Sequence, residues 1–228
     1  MNLLTKMLEK KNYSPNHVCE IGVWHPHTSN IKHYIEKNIK TLLIEPDPES
    51  IALIKKEWGD RKNLILKTFA CTDFDGTIDL HKAGSSSFVS SSKSSPAIVN
   101  DSFDMKNNIS IKVDAKKFSN EDPGDINLIS IDTEGSEWYV IKHMSSRPDV
   151  ISIETHGGYY VNPYIREIKK WMDDYNYKLW FKDNSDSVYV KKDVIKINYD
   201  ELLFLLLKNV HLSIRRSVKG LKLFFRNT

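Results

Sequence analysis

Apolar residues recur along this chain with two periods, and the switches between them mark out the elements. A buried-type run, His17–Gly22 (HVCEIG), reads as a strand, residues 28–38 carry helical spacing, and Thr41–Pro46 (TLLIEP) is again a strand. Pro48–Trp58 (PESIALIKKEW) opens with a proline suited to a first helical turn, and Asn63–Cys71 (NLILKTFAC) is a third strand. A short helix precedes this series near the N-terminus. Strands alternating with helices of this length predict βαβ units and a parallel sheet. Between about Thr72 and Glu121 the rhythm breaks: Asp73–Ala83 (DFDGTIDLHKA) reads as a turn into a short strand and Ile109–Ala115 (ISIKVDA) as another strand. They flank a serine-rich segment, Gly84–Pro96 (GSSSFVSSSKSSP), with little to bury; it reads as a solvated loop or as a lid that orders over a substrate. Alternation resumes with Asp125–Asp132 as strand, about Glu134–Ser145 as helix, Asp149–Gly157 as strand and Asn162–Tyr175 as helix. A hairpin, YKLWFKD and SVYVKKD, turns at Asn184–Asp186. The expected fold is α/β: a doubly wound, seven-stranded sheet, mostly parallel, closed by an antiparallel hairpin.

The polar residues that interrupt this pattern gather at the carboxyl ends of the strands, where open α/β sheets bind ligands. Glu20 and Gly22 end the first strand ahead of a loop that opens a helix, a place suited to the close approach of a nucleotide-like cofactor. The GxGxxG pattern is absent, and Pro26 stiffens the loop. Glu45 ends the second strand 23 residues after Gly22 and can accept both hydroxyls of a ribose. The fourth long strand runs into Asp132, Glu134 and Glu137 with Gly135 among them (LISIDTEGSEWYVI). Asp132 and Glu134 are the candidates for the reacting centre, and Glu137 reads as a first-turn acid favoured by the helix dipole. The fifth strand ends in Glu154 and His156, two residues apart and so on one face, with His156 the candidate general base. No metal site is assigned, although Asp132, Glu134, Glu154 and His156 could hold a divalent cation if they converge.

Taken in order, EIG…TS, LLIEPDPES, FACTDFDGTIDLH…GSSSF, INLISIDTEGSEWYVIKHM and DVISIETHG resemble the FkbM family of S-adenosylmethionine-dependent methyltransferases, over about Val18 to Gly157. The resemblance implies a class I, Rossmann-like methyltransferase domain, S-adenosylmethionine as cofactor, and O-methylation of a sugar or glycan precursor. It implies Glu20 and Gly22 at the cofactor's amino-acid end, Glu45 at its ribose, and Asp132 facing the sulfonium or the acceptor beside Glu134. Trp24, His25 and Pro26 depart from the small residues the family tends to carry there. Methylation of an amine or carboxyl group, and a non-catalytic scaffold on the same fold, are the competing expectations.

The methyltransferase-like domain is expected to span residues 1–196, with 197–228 a separate basic amphipathic helix. On that helix Leu203, Leu207, Val210, Ile214, Val218, Leu221 and Phe225 form one stripe. Lys208, Arg215, Lys219, Lys222 and Arg226 lie opposite, and no acid follows Glu201. It reads as docked on its own domain, as a homodimer contact, or as a peripheral membrane contact. A formal charge of +3 and a core without a basic, aromatic-interleaved patch argue against nucleic acid as partner. Cys19 and Cys71 fall in apolar runs outside any CxxC or Cys/His pattern, as reduced buried thiols do. With no signal-type leader and no apolar run long enough for a membrane span, the expected location is cytoplasmic, with or without contact to the inner membrane face.

Overall fold

Three runs, His17–Ile21 (β1), Leu128–Ile131 (β8) and Val150–Glu154 (β9), are buried at every position, as parallel strands covered on both faces must be. They form the centre of the sheet in a computed structural model that describes residues 1–92, 94–101 and 109–226. Lys40–Ile44 (β2) and Leu64–Lys67 (β3) continue the parallel sheet on one side. On the other side Asp186–Lys191 (β11) lies antiparallel to β9, and Tyr177–Lys182 (β10) closes the edge. The order is β10-β11-β9-β8-β1-β2-β3, so the hairpin folds back and its second strand enters the sheet between β9 and β10. This is a doubly wound, seven-stranded α/β sheet, with the mostly parallel order and closing hairpin expected from the sequence.

Helices cover both faces. Leu3–Lys10 (α1) starts at Asn2, whose side chain accepts the Thr5 amide at 2.9 Å. Pro48–Trp58 (α3) is capped by Asp47 and buries Ser50, Ile54 and Trp58, one row at i, i+4 and i+8. Ile165–Asp174 (α6) buries Ile168, Trp171 and Met172. Each fully buried aliphatic or aromatic side chain in these layers stabilises the fold by about 1.5–3 kcal/mol relative to exposure. Two predicted helices are shorter than their polar patterns suggested: Lys32–Glu36 (α2) and Glu137–Lys142 (α5).

The middle of the chain departs from expectation. The predicted strand 63–71 breaks after Lys67, and Ala70–Cys71 (β4) leaves for a second, four-stranded sheet with Gly76–His81 (β5), Phe88–Val89 (β6) and Ser110–Lys116 (β7). The serine-rich segment belongs to it. Phe88 and Val89 pair with β5, a helix follows at Pro96–Asp101 (α4), and Ser95 and Ala97 are buried, so the described part is packed wall and not solvated loop. Its two apolar residues had been outweighed by the serines around them. Lys93 and residues 102–108 lie outside the described residues.

One contact ties the centre together. Gly22 takes φ +80°, and a Cβ there would stand 1.7 Å from the Asp132 carbonyl oxygen. Glycine at this position is demanded by the adjoining strand end, and not only by a ligand. Gly22→Ala is expected to destabilise the protein by about 3 kcal/mol or more, read as a lowered midpoint in urea unfolding with an unchanged slope.

Candidate active site

The winding of the sheet reverses between β1 and β8, and the crevice beyond their carboxyl ends is where such folds bind ligands. A cavity of about 310 Å³ opens there. Its floor is made by Glu20, Gly22, Glu45, Asp132, Glu134 and Glu154, and its far wall by Cys71, Leu80 and Val89 of the second sheet with Gly84 and Ser87 of the serine-rich segment. Of the acids and the glycine singled out in the sequence as cofactor-binding or reacting, all line one cavity.

Their roles differ in detail from expectation. Glu20 is buried and turns its carboxylate to the loop: Ser29 Oγ donates to one oxygen and the Asn30 amide donates to the other at 2.7 Å. Burial is the main reason its carboxyl is pushed up to about 8. Asn30 in turn donates to Ser130 Oγ at 3.1 Å, and Ser152 Oγ donates to Asp186 at 2.9 Å. Glu20, Ser130 and Ser152 stand side by side in the register of β1, β8 and β9, a polar row crossing the apolar sheet. Glu45 accepts the amides of Val23 and Trp24 on one oxygen and that of Asp47 on the other, at 2.8–2.9 Å. Three of its roughly four acceptor positions are therefore filled, which leaves room for one ribose hydroxyl and not the expected two.

The turn after β8 is tight. Glu134 is not one turn into a helix as expected; it precedes α5 with φ +55°, and Gly135 follows with φ +107°. A left-handed glutamate costs on the order of 1–3 kcal/mol unless its surroundings hold it. A Cβ on Gly135 would meet the Ser94 carbonyl at 2.1 Å, so the serine-rich segment presses on this turn. Glu137 is fully buried rather than a solvated first-turn acid: one oxygen accepts the Thr133 and Gly135 amides at 3.0 Å, and the other accepts from Asn162. It holds the turn that presents Asp132 and Glu134.

His156 does not stand beside Glu154. The amides of Thr155 and His156 both donate to the Ser185 carbonyl, at 3.1 and 3.0 Å, so a bulge breaks the alternation just past β9. His156 is buried at 1% exposure, its Nδ1 lies 3.0 Å from Thr155 Oγ1, and it does not line the cavity. Glu154 does line it, and its Oε2 is buried without a partner, as is Asp132 Oδ1. Burial first, then the neighbouring acids, raises both carboxyls well above the usual range. Asp186, which the sequence reading passed over as part of a turn, is drawn in behind them and pushed up to about 7, chiefly by burial. Among the described residues no lysine or arginine forms an ion pair with Glu20, Asp132, Glu137, Glu154 or Asp186. Convergence on a metal-capable set occurs, but in a different trio from the one anticipated: oxygens of Asp132, Glu137 and Glu154 lie within 4.8 Å of one another.

A family model described as the methyltransferase FkbM domain matches residues 18–179. No curated protein matches the chain. Among solved structures, the methyltransferase domain of bacterial CtHen1-CN aligns at a TM-score of 0.46 and 9% identity, over 82% of this chain and 94% of that one. Precorrin-6y C5,15-methyltransferase from Geobacter metallireducens aligns at 0.42 and 12%, over 83% and 87%. TrmK of M. capricolum, solved with S-adenosyl-homocysteine, aligns at 0.42 and 11%, over 90% and 75%.

Two outcomes follow from the crowded acids. A carboxyl whose folded pKa lies above its unfolded value contributes stability in full below the ordinary carboxylate range and loses it as pH rises through the folded pKa. For Glu20 and Asp186 that window runs from the ordinary values of 4.5 and 3.8 to about 8 and about 7. The ligand-free protein should therefore melt at steadily lower temperature from mildly acidic to mildly alkaline buffer. Acids held low by lysines, such as Glu121 beside Lys67, act only at the acid end. In calorimetry, Asp132→Asn should raise the melting temperature of the ligand-free protein by about 2–4 °C, because it removes one of the clustered buried acids.

Proposed function

The chain belongs to the FkbM methyltransferase family, and on that premise we propose that it transfers a methyl group to a hydroxyl of a sugar or glycan precursor, with Glu154 as the base. The cofactor is S-adenosylmethionine, which when bound supplies an electrophilic methyl on a positively charged sulfur. The residues lining the cavity suit it. Among the described residues Glu20, Asp132 and Glu154 form no ion pair with a lysine or arginine and so favour a positive charge, Asp132 offers an unpartnered oxygen, and Glu45 keeps one acceptor position for a ribose.

The observation that carries the reading is Glu154 Oε2: a buried, unpartnered carboxylate oxygen on the cavity wall, on a group whose proton affinity burial and then the neighbouring acids raise well above the ordinary carboxylate range. A hydroxyl acceptor must lose its proton as the methyl arrives, and a base of raised pKa takes it better than an ordinary carboxylate. Asp132 and Glu134, held by the Glu137-braced turn, orient the reacting groups and hold the positive charge. His156 steadies the bulge from behind. Serine and threonine side chains at positions 28, 87, 136 and 185 give the wall a polar character suited to a hydroxyl-rich acceptor.

The test is methyl transfer from isotopically labelled S-adenosylmethionine to a panel of glycans, read by mass spectrometry. Glu154→Gln is expected to lower turnover about 10²- to 10⁴-fold with cofactor affinity little changed, and His156→Ala to cost far less. Full activity in Glu154→Gln would point to a carboxyl acceptor, which needs no base. At about 100 times its dissociation constant S-adenosylmethionine should stabilise the fold by about 2.7 kcal/mol. Its advantage over the uncharged S-adenosylhomocysteine should widen as pH rises and the acids ionise.

A further inference from the structure

The helix Tyr199–Arg226 (α7) is fastened at its start. Lys11 donates to Glu201 at 2.7 Å, Lys10 pairs with Asp200 at 3.6 Å, and Glu201 and Leu212 are buried on the side facing β10. Its apolar stripe faces the other way. Tyr199 is 92% exposed, Leu203 58%, Leu206 60% and Ile214 59%, and Leu202, Leu207 and Val210 fill the same sector. So many large apolar side chains exposed on one face of a helix mark an interaction surface. Docking on the parent domain is thus corrected for the described part of the stripe, because the domain takes the opposite side of the helix. Val218, Leu221 and Phe225 of that stripe, and the side chains of Lys219, Lys222 and Arg226, lie outside the described residues.

The charge decides between a second copy and a lipid surface. From residue 202 onward the sequence carries six lysines and arginines and no acid. A symmetric pair of α7 helices joined through the stripe would cover the apolar face but leave these cations unanswered, because the two acids at the helix start, Asp200 and Glu201, are already engaged by Lys10 and Lys11. An anionic bilayer meets both features at once, apolar stripe towards the acyl boundary and cations towards the headgroups. No described helix is long and apolar enough to cross a membrane. We propose that α7 lies in the plane of an anionic lipid surface and docks the protein there.

The placement has a functional side. Arg215 reaches the loop that follows β9: a Cβ on Gly158 would lie 3.6 Å from its guanidinium. That loop begins next to Glu154 at the cavity and exposes Tyr159 and Val161. Docking through α7 would hold the cavity's edge one helix diameter, roughly 10 Å, above the lipid surface, within reach of a lipid-anchored glycan. This last step rests on the proposed function; the docking itself does not.

The experiment is flotation of the full chain with vesicles of phosphatidylcholine, with and without phosphatidylglycerol, at low and high salt. Co-flotation with the anionic vesicles only, weakened by salt, is expected. Leu206→Ser/Val210→Ser should cut it by roughly tenfold or more while leaving the melting temperature and its shift with S-adenosylmethionine intact. No flotation at low salt overturns the proposal. So does a concentration-dependent dimer, seen by sedimentation equilibrium and abolished by the same double substitution while flotation is unaffected. Because vesicles and not turnover are read, an inactive acceptor panel leaves this result standing.

Discussion

Like charge confined in a dry place is the constraint around which this molecule is arranged. Five acids, Glu20, Glu154 and Asp186 from three strands, Asp132 from the turn after β8 and Glu137 from the start of α5, meet at the carboxyl edge of the sheet, all buried but the half-buried Asp132. Paired lysines or arginines would relieve them, yet the fold recruits none among the described residues and answers instead with backbone amides, serine hydroxyls and raised proton affinities. Such a site is tense when empty and eased by a cation. Stability is surrendered in the ligand-free state so that a positively charged ligand is bound with more than shape.

The geometry that holds the acids depends on close backbone contacts. Gly22 lets the Asp132 carbonyl approach, and Gly135 does the same for Ser94. Between them the turn 132–137 is gripped from β1 on one side, from the second sheet's segment on the other, and from within by Glu137. A left-handed glutamate at 134 persists because this surrounding leaves the backbone no easier path.

Much of this was legible in the sequence. Strand identity followed from apolar runs such as VCEI, LLI and LISI, and the rule that ligands sit at carboxyl strand ends gathered Glu20, Gly22, Glu45, Asp132 and Glu134 correctly into one cavity. What escaped has physical reasons. His156 was misplaced because period-two reasoning cannot see a bulge, which is set by one carbonyl, Ser185, accepting two amides. Glu137 looked like a surface acid because helix-dipole logic is local, whereas its partner Asn162 comes from 25 residues away. Asp186 looked like turn chemistry until β11 carried it to Glu154. A signal did exist for the polar row: serine recurs at the same point of LISI and VISI, two four-residue runs that are otherwise apolar.

The entry of β11 between β9 and β10 also bears on how the chain is made. Of this sheet's strands it is the last in chain order, yet it occupies an interior place, paired with β9 on one side and β10 on the other. Until residue 191 has emerged, β9 keeps an open edge and Asp186 is missing from the acid cluster. A nascent chain therefore completes its sheet and the acid-lined crevice at its edge in the same late event, and a fragment stopped short of β11 exposes a bare, apolar strand edge of the kind that seeks partners in other chains.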